Sequence, residues 1–346
     1  MDNKIISQII QHVQLAQKGE LYNEEFYEKE VTAGNEFLFF IKPEITLFSS
    51  EIKLKEILKM VFAKIEKFKL KVRNIQVLSA QYLDDYDIIA KHYGVINRLS
   101  NDAAGNFSED ARNKFKNEFG VSVDNAEVFG SLQFIKEFPY FTPIGLDYLW
   151  QNVPFVKLAG GTYAQKLSLD GQEIFLVNGF HPRQLDHFTK ADRSIITMTL
   201  CGNANWAEAR QHFVGATNPV NAKEKSIRKE LLLKKEEFGL KTVNSSWNGV
   251  HLSAGPVEGL VELVRYNSDY KNNDKSTIDD YSFGRRLREN FSEQQIMKIM
   301  DNCDVLFDGK SVPVFDLTEE KNSDEALRLL TQTMPTLDAE EGAKTE

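Results

Sequence analysis

Apolar positions along the chain follow two periods, and the switching between them predicts a fold of mixed strands and helices. Within residues 5–18, Ile5, Ile9, His12, Val13 and Ala16 stand at helical spacing, which predicts an amphipathic helix closing near Gly19. The run Glu36-Phe37-Leu38-Phe39-Phe40-Ile41 is short, aromatic and stops at Lys42-Pro43, the pattern of a buried strand entering a loop. Over 50–68, Leu54, Ile57, Leu58, Val61, Phe62 and Ile65 repeat at helical spacing with lysines and glutamates between them. Alternation at Val72, Ile75 and Val77 gives a second strand over 71–78, and 82–93 returns to a helix ending in His92-Tyr93. Further on, 194–200 is a strand, 205–213 a helix, 215–219 a turn-rich loop and 249–252 a short strand. A helix over 257–264 follows, entered through Gly255-Pro256, where proline suits a first turn.

Residues 94–192 interrupt this order and read as a large insertion with its own structure. They hold a charged helical run at 108–119, an aromatic stretch at 138–143, and a hairpin of 164–169 and 173–177. The Asp170-Gly171 pair supplies the positive φ angles of that hairpin's turn. Without the insertion, strand, helix, strand, helix, strand, helix, loop, strand, helix predicts an α+β fold. Its expected form is a ferredoxin-like split β-α-β antiparallel sheet with helices on one face. Residues 1–33 form an N-terminal helical extension and 34–268 the main domain. A C-terminal helical extension over 269–336 contains helical stretches at 283–300 and 324–331, and 337–346 is a disordered acidic tail.

Composition narrows the function classes. The 346 residues carry 42 Lys and Arg against 51 Asp and Glu, a net charge of −9 that argues against broad binding to nucleic-acid backbones. A local basic cluster, Lys223, Lys225, Arg228, Lys229, Lys234 and Lys235, remains available for phosphates. Cys201 and Cys303 have no metal-ligand spacing and form no disulfide framework. His181 and His187, six apart around Pro182, offer no defensible zinc geometry. No stretch is long and apolar enough for a membrane span, and the N-terminus lacks a signal-peptide core, so a cytoplasmic protein is expected.

Singly, a histidine, a Lys-Pro strand end, a Thr-Asn-Pro turn and an Ile-Arg pair have ordinary structural readings. Here they occur in one order: Phe39-Phe40-Ile41-Lys42-Pro43-Glu44, His92-Tyr93, Gly215-Ala216-Thr217-Asn218-Pro219, Ile227-Arg228, and Asn248-Gly249-Val250-His251-Leu252-Ser253. Thr217 precedes Arg228 by eleven residues, Asn248 precedes His251 by three, and His251 precedes Glu262 by eleven. In order and spacing these segments resemble the motifs of the nucleoside diphosphate kinase family, over about 35–93 and 193–266.

The resemblance implies phosphoryl transfer from a nucleoside triphosphate, ATP as donor, to a nucleoside diphosphate by a ping-pong mechanism through phosphohistidine at His251. Imidazole suits that role because it is nucleophilic near neutral pH and releases phosphate readily. By the same resemblance, Lys42, Arg228 and Thr217 stabilise the transferring phosphates, with Arg210 as a further phosphate ligand. Tyr93 positions them, and Asn248 binds the ribose with Lys42. Glu262 fixes the imidazole tautomer, and Ser253 sits beside the nucleophile. Magnesium rides on the nucleotide phosphates, with no all-protein metal site, and the family's habit is a homo-oligomer.

Three departures from the family pattern stand out. Four residues before Gly215 lies Gln211, where the family supplies arginine, while Arg210 is one position earlier. On an α-helix that slip turns a side chain by about 100°. Leu252 replaces the glycine expected after the nucleophile, and the stretch between Arg228 and Asn248 is ten residues longer than usual. Gln211, Leu252 and the long insertion motivate an alternative, a catalytically weakened nucleotide-binding or scaffolding member of the same family.

Overall fold

Ser50 sets the long helix in place, because its side chain accepts the Lys53 N–H and satisfies one of the donors left open at a helix start. The helix runs Glu51–Lys67 in the computed structural model, which describes residues 3–28, 34–48 and 50–344. Two compact units emerge, Met1–Tyr82 with Ala191–Glu346, and Leu83–Lys190.

In chain order the strands are β1 (Asn23–Glu28), β2 (Asn35–Ile41), β3 (Lys71–Ser79), β4 (Val128–Gly130), β5 (Phe155–Ala159), β6 (Thr162–Leu169), β7 (Gln172–Val177), β8 (Ser194–Gly202), β9 (Val250–Leu252), β10 (Asp304–Phe307) and β11 (Lys310–Pro313). The first unit is built on one antiparallel sheet ordered β1-β3-β8-β2-β9. Strands β2 and β3 both run antiparallel to β8, so they are parallel to each other on either side of it; β8 and β9 flank β2 in the same way.

Because side chains alternate across a strand, this sheet has two different faces. Phe37, Phe39, Ile41, Ile75, Val77, Ile196, Met198, Val250 and Leu252 enter the main core with the apolar stripes of helices Asn3–Gln17 and Glu51–Lys67. Each such side chain, buried completely, contributes about 1.5–3 kcal/mol. The opposite face carries Phe40 and His251 and meets helix Pro256–Asn267, with the Phe40 and Tyr266 rings stacked 5.6 Å apart. That face is partly polar, and Asn267 closes its network. Its side chain accepts from Asn74 at 3.0 Å and Gln76 at 2.8 Å, and donates to Thr199 Oγ1 at 3.0 Å and the Tyr281 hydroxyl at 2.9 Å.

Several sequence expectations change. The N-terminal extension is not purely helical, since β1 pairs with β3 at the sheet edge. Its sequence, Asn-Glu-Glu-Phe-Tyr-Glu, is too polar to announce a strand, yet charge suits an edge. The C-terminal extension likewise includes the hairpin of β10 and β11. Backbone helix continues over Ser323–Lys344, through most of the segment expected as a disordered tail, in keeping with its alanines, glutamates and lysine. Residues 345 and 346 lie outside the described residues. The helix expected over 82–93 divides into Ala80–Asp85 and Ile88–His92 at Asp87, whose φ is 54°.

The second unit has its own sheet, ordered β4-β7-β6-β5. Its hairpin of β6 and β7 turns at Asp170 (φ 52°) and Gly171 (φ 81°), the left-handed pair that a tight hairpin requires. Helix Glu109–Phe119, capped by Ser108, packs Phe115 against Phe175 at 4.9 Å. His181 is buried between the amide side chains of Gln184 and Asn97, and burial pushes its imidazole down to about 4. Among the described residues, no helix is long and apolar enough to cross a membrane.

Candidate functional site

Edge strand β9 places His251 opposite Phe40 of β2, and the two rings stack 4.5 Å apart. Helix Pro256–Asn267 then returns Glu262, which is 2% exposed, to the imidazole. Glu262 Oε1 and Oε2 lie 2.9 and 3.1 Å from His251 Nε2. This contact fixes the tautomer: the proton belongs on Nε2 toward the carboxylate, which leaves the lone pair on Nδ1.

His251 lines a cavity of about 390 Å³ together with Arg210, Gln211, Thr217, Lys223, Arg228 and Glu320. Arg228 spans the opening between the loop and β9, donating to Gly215 O at 2.8 Å and Val250 O at 2.9 Å. Beneath them Lys42 Nζ donates to Asn248 Oδ1 at 2.8 Å, and Asn248 Nδ2 donates in turn to Thr217 O at 3.1 Å and Ser245 O at 3.0 Å. Gly249, at φ 81°, gives its N–H to Glu44 Oε1 at 2.8 Å. A Cβ there would lie 2.4 Å from Leu231, so glycine meets both the backbone angle and the space.

The backbone that carries Arg210 departs from an α-helix. Ala209–Val214 is a π-helical turn, and Gly215 N–H bonds to Arg210 O at 2.9 Å, five residues back instead of four. The extra residue in the turn brings Arg210 to where the residue four before Gly215 would stand on an α-helix, and Arg210 and Gln211 both reach the cavity. Leu252, 6% exposed, joins the main core and borders the cavity with its edge. Phe238 and Leu240 bury themselves in the same core, which anchors the long connection before Asn248.

Arg210, Thr217, Arg228 and His251 therefore share one cavity, with Lys42 and Asn248 paired behind it and Glu262 on the imidazole. Ser253 does not join them. It is fully buried and continues the ladder to β2, its Oγ donating to Leu38 O at 3.2 Å and accepting from Leu38 N at 3.0 Å. Tyr93 belongs to the second unit, where its ring meets His92 and His181 edge-on. Glu44, Phe40, Glu258, Glu319 and Glu320 were not assigned from sequence. Phe40 and Glu44 stood within the Phe39-Phe40-Ile41-Lys42-Pro43-Glu44 segment, whereas the other three acquire their setting through tertiary contact.

Electrostatics divides these groups. Burial pushes Lys42 down to about 8, with Glu44 opposing that shift and Arg228 adding to it. The Glu258 carboxyl is pushed up, by burial first and then by the carboxylate of Glu262.

Lys42 supports a prediction of two opposite trends. Its ammonium deprotonates as pH rises through about 8, so affinity for a phosphate-bearing ligand falls there, and titration calorimetry should show no such limb in Lys42→Met. Between about 8 and the unfolded value of 10.5 the unfolded chain binds more protons at this site. Stability conferred by this group therefore rises with pH over that window, measured as the wild-type melting temperature relative to Lys42→Met.

No protein-family model matches the sequence, and no curated protein matches it. Among solved structures the chain is similar to a nucleoside diphosphate kinase from Encephalitozoon cuniculi, with a TM-score of 0.32, 11% identity, and coverage of 68% of this chain and 90% of that one. It is also similar to an NDP kinase from Pyrobaculum aerophilum, with a TM-score of 0.34, 16% identity, and coverage of 70% and 100% respectively. Neither likeness is close enough to bear on the chemistry.

Proposed function

We propose that the first unit is a phosphoryl-transfer site in which His251 takes phosphate from a nucleoside triphosphate and passes it to a nucleoside diphosphate. The observation that carries this reading is the His251–Glu262 pair, with Nε2 to Oε1 at 2.9 Å, at the wall of a cavity shared with Arg210, Thr217 and Arg228. The lone pair on Nδ1 attacks the terminal phosphorus, the bond to the bridging oxygen breaks, and the diphosphate leaves with that electron pair. Glu262 holds the Nε2 proton and balances the positive charge that develops on the ring. In the second half-reaction a terminal oxygen of an acceptor diphosphate attacks the phosphorus and His251 regains its lone pair.

Arg210, Arg228 and Lys223 supply fixed positive charge for a transition state in which little other covalent work falls to the protein. In this reading Lys42 and Asn248 would bind the ribose hydroxyls, their mutual hydrogen bond of 2.8 Å holding both in one orientation. Among the described residues lining the cavity the cations outnumber the single carboxylate, Glu320, which suits magnesium arriving on the nucleotide, where it neutralises phosphate charge, rather than in a protein cage. We read the β3-β8-β2-β9 order, with β2 and β3, then β8 and β9, each joined through helical segments, as a ferredoxin-like split β-α-β sheet. A homo-oligomer belongs to the same reading and is measured by sedimentation.

Initial rates with varied triphosphate and diphosphate test the reaction. Parallel double-reciprocal lines are expected of a ping-pong cycle, and intersecting lines oppose it. The second reading, a nucleotide-binding member with weakened turnover, draws on the carboxylates of Glu319 and Glu320 at Arg210. Nucleotide-dependent thermal stabilisation without transfer to any diphosphate favours it.

A further inference from the structure

The C-terminal extension reaches the cavity through one turn. Glu320 N–H donates to Ala254 O at 2.9 Å, and Lys321 N–H closes back on Thr318 O at 3.2 Å. Gly255 makes this approach possible, because a Cβ there would lie 2.4 Å from Thr318 O. Glu320 itself sits at φ 56°, a left-handed angle that a non-glycine side chain adopts at some cost in energy. The turn is thus latched to the segment that directly follows β9.

Two carboxylates from this turn meet the cavity's arginine. Arg210 Nη1 lies 2.9 Å from Glu319 Oε1 and its Nε 3.5 Å from Glu320 Oε1, while Gln211 Nε2 donates to Glu320 Oε2 at 3.4 Å. A guanidinium presents donors in a fixed fork that suits carboxylate and phosphate alike, so one set of oxygens excludes another from the same donors. Arg228 donates to the main-chain carbonyls of Gly215 and Val250.

We propose that Glu319 and Glu320 act as built-in competitors for the phosphate groups of a ligand, holding Arg210 until a phosphoanion displaces them and so setting how strongly the cavity selects for one. The proposal rests on reading this cavity as a phosphate site but not on any transfer chemistry. Its components come from separate parts of the chain: the π-helical turn delivers Arg210, and the C-terminal turn delivers the carboxylates. An anion that takes Nη1 and Nε of Arg210 must break both ion pairs. The pairs are partly exposed, so each weakens the incoming anion modestly rather than excluding it.

Inorganic tripolyphosphate without magnesium, titrated calorimetrically into the full chain, tests this directly. The Glu319→Gln/Glu320→Gln double variant, which keeps side-chain shape, is expected to bind tripolyphosphate about three- to tenfold more tightly than the wild type. Adding Arg210→Gln to that variant should remove the gain, and thermal melts show that each protein is folded. Equal or weaker binding by the double variant, or a gain that survives Arg210→Gln, overturns this proposal alone. No binding to any of the folded proteins overturns it together with the reading of the cavity as a phosphate site.

Discussion

Replacing His251 with glutamine lowers nucleoside diphosphate phosphorylation by about 10³-fold or more, the scale on which an enzyme loses rate when its covalent nucleophile is removed. Glutamine keeps a polar group against Glu262 and fits beside Phe40, so the sheet edge at β9 survives the change. His251 is 19% exposed at its side chain, and its removal opens no core cavity. Binding of nucleotide, measured by calorimetry, should therefore change by less than about tenfold. Unaltered transfer by a folded His251→Gln protein would place the chemistry elsewhere.

Glu262→Gln is expected to produce the second largest loss, about 10²- to 10³-fold in the rate of the first half-reaction. Two effects combine. The negative charge that balances the developing imidazolium disappears, and the new amide can offer an N–H to the ring, which draws the proton onto the wrong nitrogen. Glu262 is 2% exposed and does not line the cavity, so nucleotide affinity should hold while the single-turnover rate falls. The melting temperature should not fall, because the variant removes a buried negative charge one helical turn from the Glu258 carboxyl, which burial and that charge both push up. A parallel loss of affinity and stability would instead mark Glu262 as a structural residue.

The parts of this arrangement differ in how far they were written in local sequence. Helix Glu51–Lys67 was legible because Leu54, Ile57, Leu58, Val61, Phe62 and Ile65 repeat at its period, and all are buried. The hairpin of β6 and β7 was legible from Asp170-Gly171. The pairing of His251 with Glu262 was implied by the family resemblance, and the strand-to-helix return brings the two side chains into contact. Strand β1 was not legible, since its apolar content is that of an edge.

Backbone detail and long-range contacts were the remaining blind spots. Nothing in Ala-Arg-Gln-His-Phe-Val announces a π-helical turn, yet that turn decides whether Arg210 or Gln211 answers to the expected position. The change at Glu258 arises from burial beside Glu262, and the grip of Glu319 and Glu320 on Arg210 joins segments more than a hundred residues apart in sequence. Ser253 shows the converse: motif spacing placed it beside the nucleophile, while its hydroxyl is taken up by the backbone of Leu38.

The central claim is that His251 accepts phosphate. Wild-type protein incubated with labelled ATP and magnesium, freed of nucleotide and digested, should yield a phosphopeptide containing His251 whose label survives alkali and is lost in acid. Addition of a nucleoside diphosphate before digestion should discharge it. Folded protein that forms no adduct, or one whose label maps to a residue other than His251, contradicts the account.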